Sequence, residues 1–123
     1  MHYYVNLGYS GTVTKNNLIS TIDTWGREYR VAISIIVHSA GSEWSSILRF
    51  TNTDSNCCNI GDRIPAIFYN SGNGGANSYL HITNAVNGNA NYYFNHYIDL
   101  RKWYHIELAQ TKINGTVCEI YNS

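Results

Sequence analysis

Tyr29-Arg30-Val31-Ala32-Ile33-Ser34-Ile35-Ile36-Val37 decides the fold class. In an extended chain Tyr29, Val31, Ile33, Ile35 and Val37 share one side, while Arg30, Ala32 and Ser34 fall on the other. That period predicts a long strand with one face buried. Working outward, Ser39-Ala40-Gly41-Ser42 is a turn and Ser46–Thr51 a second strand. Asn52–Asp62 has turn residues and no apolar period, so it reads as a loop. Ile64–Tyr69 reads as a strand entered through Pro65, which is tolerated at a strand's start. Asn70–Asn77, with Gly72, Gly74 and Gly75, reads as a flexible loop, Tyr79–Thr83 as a short strand, and Asn87-Gly88-Asn89 as a turn.

The second half keeps the pattern. Tyr92, Phe94 and His96 alternate with Tyr93, Asn95 and Tyr97, so aromatic rings lie on both faces of that strand. Trp103–Gln110 places Tyr104, Ile106 and Leu108 inward and His105, Glu107 and Ala109 outward. Asn114-Gly115 is a two-residue hairpin signal leading into Thr116–Tyr121. Tyr3–Leu7 and Asn17–Ile22 are weaker strand candidates, and no helix, repeat or linker is expected.

Composition agrees. The 123 residues suffice for a single domain over 1–123, and 44% are hydrophobic, enough for a core. Eleven Tyr and three Trp against a single Pro and a single Met suit pleated, half-buried surfaces. Eight basic residues balance eight acidic ones, so no basic stripe exists to neutralise phosphates and nucleic acid is not an expected partner. The longest apolar run, Ile33–Val37, is interrupted by Ser34, so no membrane insertion is expected. His2-Tyr3-Tyr4-Val5-Asn6 lacks the cationic and apolar stretches of a secretory signal.

Taken in order, Glu28–Ile33, Trp44–Phe50, Trp103–Leu108 and Asn114-Gly115 resemble the concanavalin A-like jelly roll, and within it the laminin-G-like modules. There a long strand leads to one with a Leu-Leu or Ile-Leu core, and a later Trp opens a strand ending in an Asn-Gly hairpin. Gly61–Ile67 resembles part of uncharacterised invertebrate extracellular domains of this fold. The resemblance covers roughly Thr21 to Ser123. It implies an all-β, antiparallel two-sheet jelly-roll sandwich, an extracellular location, and a recognition or adhesion role with a glycan or glycoprotein as partner. In that fold further strands follow the hairpin to which Trp103–Tyr121 corresponds. The chain is therefore expected to leave a sheet edge open, unless His2–Ile22 fills it. An open edge can pair with another copy of the chain, so self-assembly by strand complementation is the alternative expectation.

Three constellations could carry function. Sugars stack their apolar faces on aromatic rings while amides bond their hydroxyls, so Trp44, Tyr92, Tyr93 and Tyr97, with Asn87 and Asn89, form the candidate ligand site. Asn91 and Asn95 are interleaved with them. Which set of rings on Tyr92–Tyr97 faces outward is left open by the sequence. In the loop, Asp54, Asn56, Asn59 and Asp62 offer oxygen ligands suited to calcium, although the spacing matches no EF-hand and such clusters commonly cap turns. Asp62-Arg63 is expected as a structural pair.

Cys57 and Cys58 are adjacent and Cys118 is alone, in phase with Ile120 and so expected inward. A vicinal Cys57–Cys58 bridge, a longer bridge to Cys118, a bond between chains and free thiols all remain open. Catalysis is not expected: the Glu-x-Asp-x-x-Glu strand of glycosidases with this fold is absent, and His105 with Glu107 reads as a surface pair. Asn114-Gly115-Thr116 is also a glycosylation sequon.

Overall fold

The computed structural model describes residues 18–22, 28–41, 43–55, 57–74, 76–86, 88–111 and 115–122. Seven strands run through them: β1 (Tyr29–Ile36), β2 (Trp44–Arg49), β3 (Ala66–Asn70), β4 (Tyr79–Val86), β5 (Asn89–Tyr97), β6 (Trp103–Thr111) and β7 (Gly115–Asn122). No helix is present among the described residues. One antiparallel sheet has the order β1-β6-β7 and the other the order β2-β3-β4-β5. The molecule is an all-β, two-sheet sandwich.

The alternation on β1 sets the packing. Val31 is buried and Ile33 and Ile35 partly so, while Arg30, Ala32 and Ser34 are exposed. β1 pairs with β6 so that Val31 lies opposite Leu108, Ile33 opposite Ile106 and Ile35 opposite Tyr104. These residues pack against Ile67 and Tyr69 of β3 and Leu80 and Ile82 of β4, with Ile98 closing the core. Burying such side chains stabilises the fold by about 1.5–3 kcal/mol each. A polar bond crosses between the sheets from Asn84 Nδ2 to Gln110 Oε1 at 2.8 Å. Burial drives the Tyr29 phenol well above its usual range, opposed by a hydrogen bond with Asn84.

Strand bounds differ from expectation mainly where backbone pairing outruns side-chain pattern. β2 starts at Trp44 rather than Ser46, because Trp44 pairs with Asn70. β4 runs on to Val86 because the hairpin to β5 pairs Val86 with Asn89, turning at Gly88 with φ 79°. Residues 18–22 form no strand, which corrects the Asn17–Ile22 expectation over its described part. Tyr3–Leu7 lies outside the described residues. Register sets Cys118 opposite Leu108, on the β7 position paired with a fully buried residue.

β3 departs furthest from simple alternation, since all five of its residues are buried. Ile67 and Tyr69 face the core, whereas Ala66, Phe68 and Asn70 belong to the outer face of the sheet. At the Ala66 end the loop joining β2 to β3 borders this face, in the middle Arg63 covers Phe68, and at the far end Asn70 Oδ1 accepts from Gly72 N–H. The roots of the β2–β3 loop are paired, Phe50 N–H to Pro65 O at 2.8 Å and Ile64 N–H to Phe50 O at 2.8 Å. Its tip reaches β5, where Cys57 Sγ lies 3.7 Å from Asn91 Oδ1. Ala66 and its partner Thr83 are consequently buried on the outer side as well.

Candidate functional site

The register of the four-stranded sheet sorts its outer face into three rows across the strands. Trp44, Asn70, Tyr79 and Tyr97 form one; Ser46, Phe68, His81 and Asn95 the next; Arg49, Ala66, Thr83 and Tyr93 the third. The third row lies nearest the β2–β3 loop, and the first two rows together with Tyr93 carry an aromatic surface.

Trp44 is the hinge of that surface. Its ring meets Tyr79 edge-on at 6.0 Å and His81 edge-on at 5.3 Å. Tyr79 meets Tyr97 at 6.0 Å, again edge-on, and His81 lies under Tyr93 at 4.7 Å with the rings 35° apart. Edge-to-face and offset pairs are the arrangements that the ring quadrupole favours, each worth about 0.5–1.5 kcal/mol beyond burial. Phe68 forms the floor, 6.3 Å from His81 and capped by the Arg63 guanidinium 4.7 Å above its ring. Above the floor, Trp44, Tyr93 and Tyr97 are 49%, 57% and 71% exposed, so their rings are held by neighbours yet open to solvent.

Polar groups sit among the rings. His81 Nδ1 and Asn95 Oδ1 are 2.7 Å apart, so the Nδ1 proton goes to the amide oxygen. The Asn95 NH2 then remains a donor. Asn89 Oδ1 accepts from Asn91 N–H at 2.9 Å, shaping the start of β5.

Of the six expected ligand residues, the structure brings Trp44, Tyr93 and Tyr97 together on this face. Tyr92 lies apart from them, on the other face of β5. It pairs with Asn84, whose side chain bonds across to the other sheet, and its ring packs 6.3 Å from Phe94. It is 45% exposed, on a strand that borders one other strand among the described residues. Asn89 sits at the hairpin rather than among the rings, and Asn87 lies outside the described residues. His81, Tyr79 and Phe68 were not expected. The signal for the first two was the alternation Tyr79-Leu80-His81-Ile82, which puts a ring on each of the first two outward positions of that strand.

The loop uses its oxygens internally. Asp62 is buried; Oδ1 accepts from Thr53 Oγ1 at 2.5 Å and Oδ2 from Asn59 N–H at 2.8 Å. These bonds, that of Thr53 first and then the Asn59 N–H, hold its carboxyl below the usual range. Thr51 Oγ1 donates to Gly61 O at 3.1 Å and accepts from the N–H groups of Thr53 and Asp54. Asp54 lies 3.5 Å from Arg49, and Asn59 is exposed; Asn56 lies outside the described residues. Among the described residues no three His, Cys, Asp or Glu side chains gather as a metal site. Asp62 is thus a scaffold for the loop, bonded to Thr53 and Asn59 and attracted electrostatically by Arg63, whose guanidinium also covers Phe68. Cys57 and Cys58 are joined to each other as a vicinal disulfide at the loop tip.

On the opposite side of the sandwich, Ser34 Oγ and His105 Nδ1 are 3.0 Å apart, and His105 Nε2 lies 3.2 Å from Glu107 Oε1. Arg30 approaches the same carboxylate at 3.9 Å. This is a cross-strand polar ladder on an open sheet face, with the solvent screening that makes exposed pairs weak.

The chain was compared with protein-family profiles, curated proteins and solved structures, and none of them matches it.

Proposed function

We propose that the protein is an extracellular recognition or adhesion module that binds glycan on the outer face of its four-stranded sheet. The observation that carries this reading is the set of exposed rings Trp44, Tyr93 and Tyr97, braced from below by Tyr79 and His81 and interleaved with Asn95. Rigid aromatic area with a few fixed donors and acceptors is what a ligand with apolar faces and hydroxyl edges needs. The two-sheet architecture is compatible with the concanavalin A-like jelly roll that the sequence resembles, although fold alone argues function only by analogy. A disulfide in the loop and few charges suit an oxidising, extracellular setting. Calcium is not needed by this reading, because the Asp62 oxygens are already bonded. Nor is catalysis, since Glu107 is engaged by Arg30 and His105.

The test is a glycan array probed with and without a calcium chelator, using the wild-type chain and Trp44→Ala. Binding that survives the chelator and drops at least about tenfold in the variant is expected, because truncating a central aromatic anchor commonly costs more than 1 kcal/mol. Silence on every glycan in both conditions refutes the reading. A second reading, assembly of copies by strand pairing, is favoured by β5 and β2 bordering one strand each among the described residues. Concentration-dependent oligomers in size-exclusion chromatography would support it.

A further inference from the structure

We infer that the ligand of the outer face is an uncharged, linear oligosaccharide gripped at several of its units, not a single terminal sugar; this inference rests on the glycan-binding reading above. Tyr93, Asn95 and Tyr97 are successive outer-face residues of β5, in the order ring, amide, ring. At about 3.3 Å of rise per residue, the Cα atoms of Tyr93 and Tyr97 are about 13 Å apart, farther than one pyranose ring reaches. Each ring leans on a different β4 neighbour, Tyr97 on Tyr79 and Tyr93 on His81, so the two platforms are held separately. One sugar can stack on either ring but not on both. Asn95 lies between them with its oxygen committed to His81, leaving its NH2 for hydroxyls of an intervening unit.

Shape and charge point the same way. A monosaccharide site is a socket that encloses most of its ligand, whereas this surface is a pleated strip running from Trp44 on β2 to Tyr97 on β5. A strip gathers contact area only by touching consecutive units. The three rows carry no Asp, Glu or Lys; Arg49 is paired with Asp54, and Arg63 is spent on Phe68. Among the described residues of these rows no unpaired charge is therefore presented to match an acidic or sulfated sugar.

The experiment is an array of neutral linear glucan, mannan, xylan and galactan oligosaccharides of one to six units, with matched acidic and sulfated glycans. The chain is tested as wild type, Tyr97→Ala, Tyr93→Ala and Trp103→Ala. Trp103 is exposed on the other sheet and serves as the control. Expected is affinity that climbs with chain length in at least one neutral series. Tyr97→Ala and Tyr93→Ala should each flatten that climb, losing about tenfold on the longest member (about 1.4 kcal/mol), with Trp103→Ala unchanged. Far-UV circular dichroism on each variant checks the fold. Equal affinity for one unit and for six overturns the inference while leaving glycan binding standing, as does preference for acidic or sulfated glycans. Silence on every series removes both.

Discussion

Truncating Ile82 to Ala tests the sandwich at its centre. Ile82 is fully buried on β4, opposite Ile67 on β3 and Phe94 on β5, and belongs to the cluster that meets β1 and β6. The change removes three carbons, and at about 0.8 kcal/mol for each the lost transfer energy is about 2.4 kcal/mol. Strands on both sides are tied by ladder hydrogen bonds, so the space cannot collapse fully, and a residual cavity raises the loss to about 3–4 kcal/mol. A domain of this size has about 5–15 kcal/mol in all, so the variant should fold but sit much closer to its threshold. In urea unfolding followed by circular dichroism, with a slope of about 2 kcal/mol/M, the midpoint should fall by about 1.5–2 M. Tyr97→Ala, on the outward side, should cost only about 0.5–1.5 kcal/mol, the worth of its edge contact with Tyr79. A loss below about 1 kcal/mol for Ile82→Ala, or an equal loss for the two, would mean that β4 does not present these faces.

Two further predictions concern the β2–β3 loop. Gly61 has φ +97°, and a Cβ there would run into the Asn52 side chain, so Gly61→Ala should lose about 1–3 kcal/mol in the same urea assay. Gly74→Ala, also at positive φ but facing open space, should lose about 1 kcal/mol, and no difference between the two would refute the clash. Asp62 has a folded-state pKa below its unfolded value, so the unfolded chain takes up the proton first as acid is added. Its contribution is complete above the unfolded value near 3.9 and is lost as pH falls through the lowered folded value. Asp62→Asn should therefore flatten the fall of stability below about pH 4, measured by urea midpoints across pH; an unchanged acid slope would assign that titration to another group.

Much of this fold could be read from the chain because period-two patterning is a local property. Val31, Ile33 and Ile35 announce a buried face, and Tyr104, Ile106 and Leu108 announce its partner. Strand ends were less legible, since Trp44 and Val86 are strand residues only through their pairing with Asn70 and Asn89. β3 was legible as a strand but not as one buried on both faces. Its outer burial draws on groups outside the strand's own alternation, among them Arg63 over Phe68 and the β2–β3 loop beside Ala66. Of the candidate site, Trp44, Tyr92, Tyr93 and Tyr97 could all be named from residue type, but which set of rings on β5 shares a face with Trp44 could not, because that depends on sheet pairing. The loop's Asx residues looked like cation ligands because type and spacing do not reveal who bonds whom; Thr53 and Asn59 take the Asp62 carboxylate in the folded chain.

The chain by itself determined an all-β body and the inner face of each long strand, because apolar burial acts through side-chain alternation, which is written residue by residue. Tertiary structure alone decided which rings meet. Trp44, His81 and Tyr93 come from three strands, and only the register of β2, β3, β4 and β5 sets them side by side, with Tyr92 turned to the opposite face of the same strand. Register is a property of paired backbones, and a shift of one residue would have exchanged the two sets.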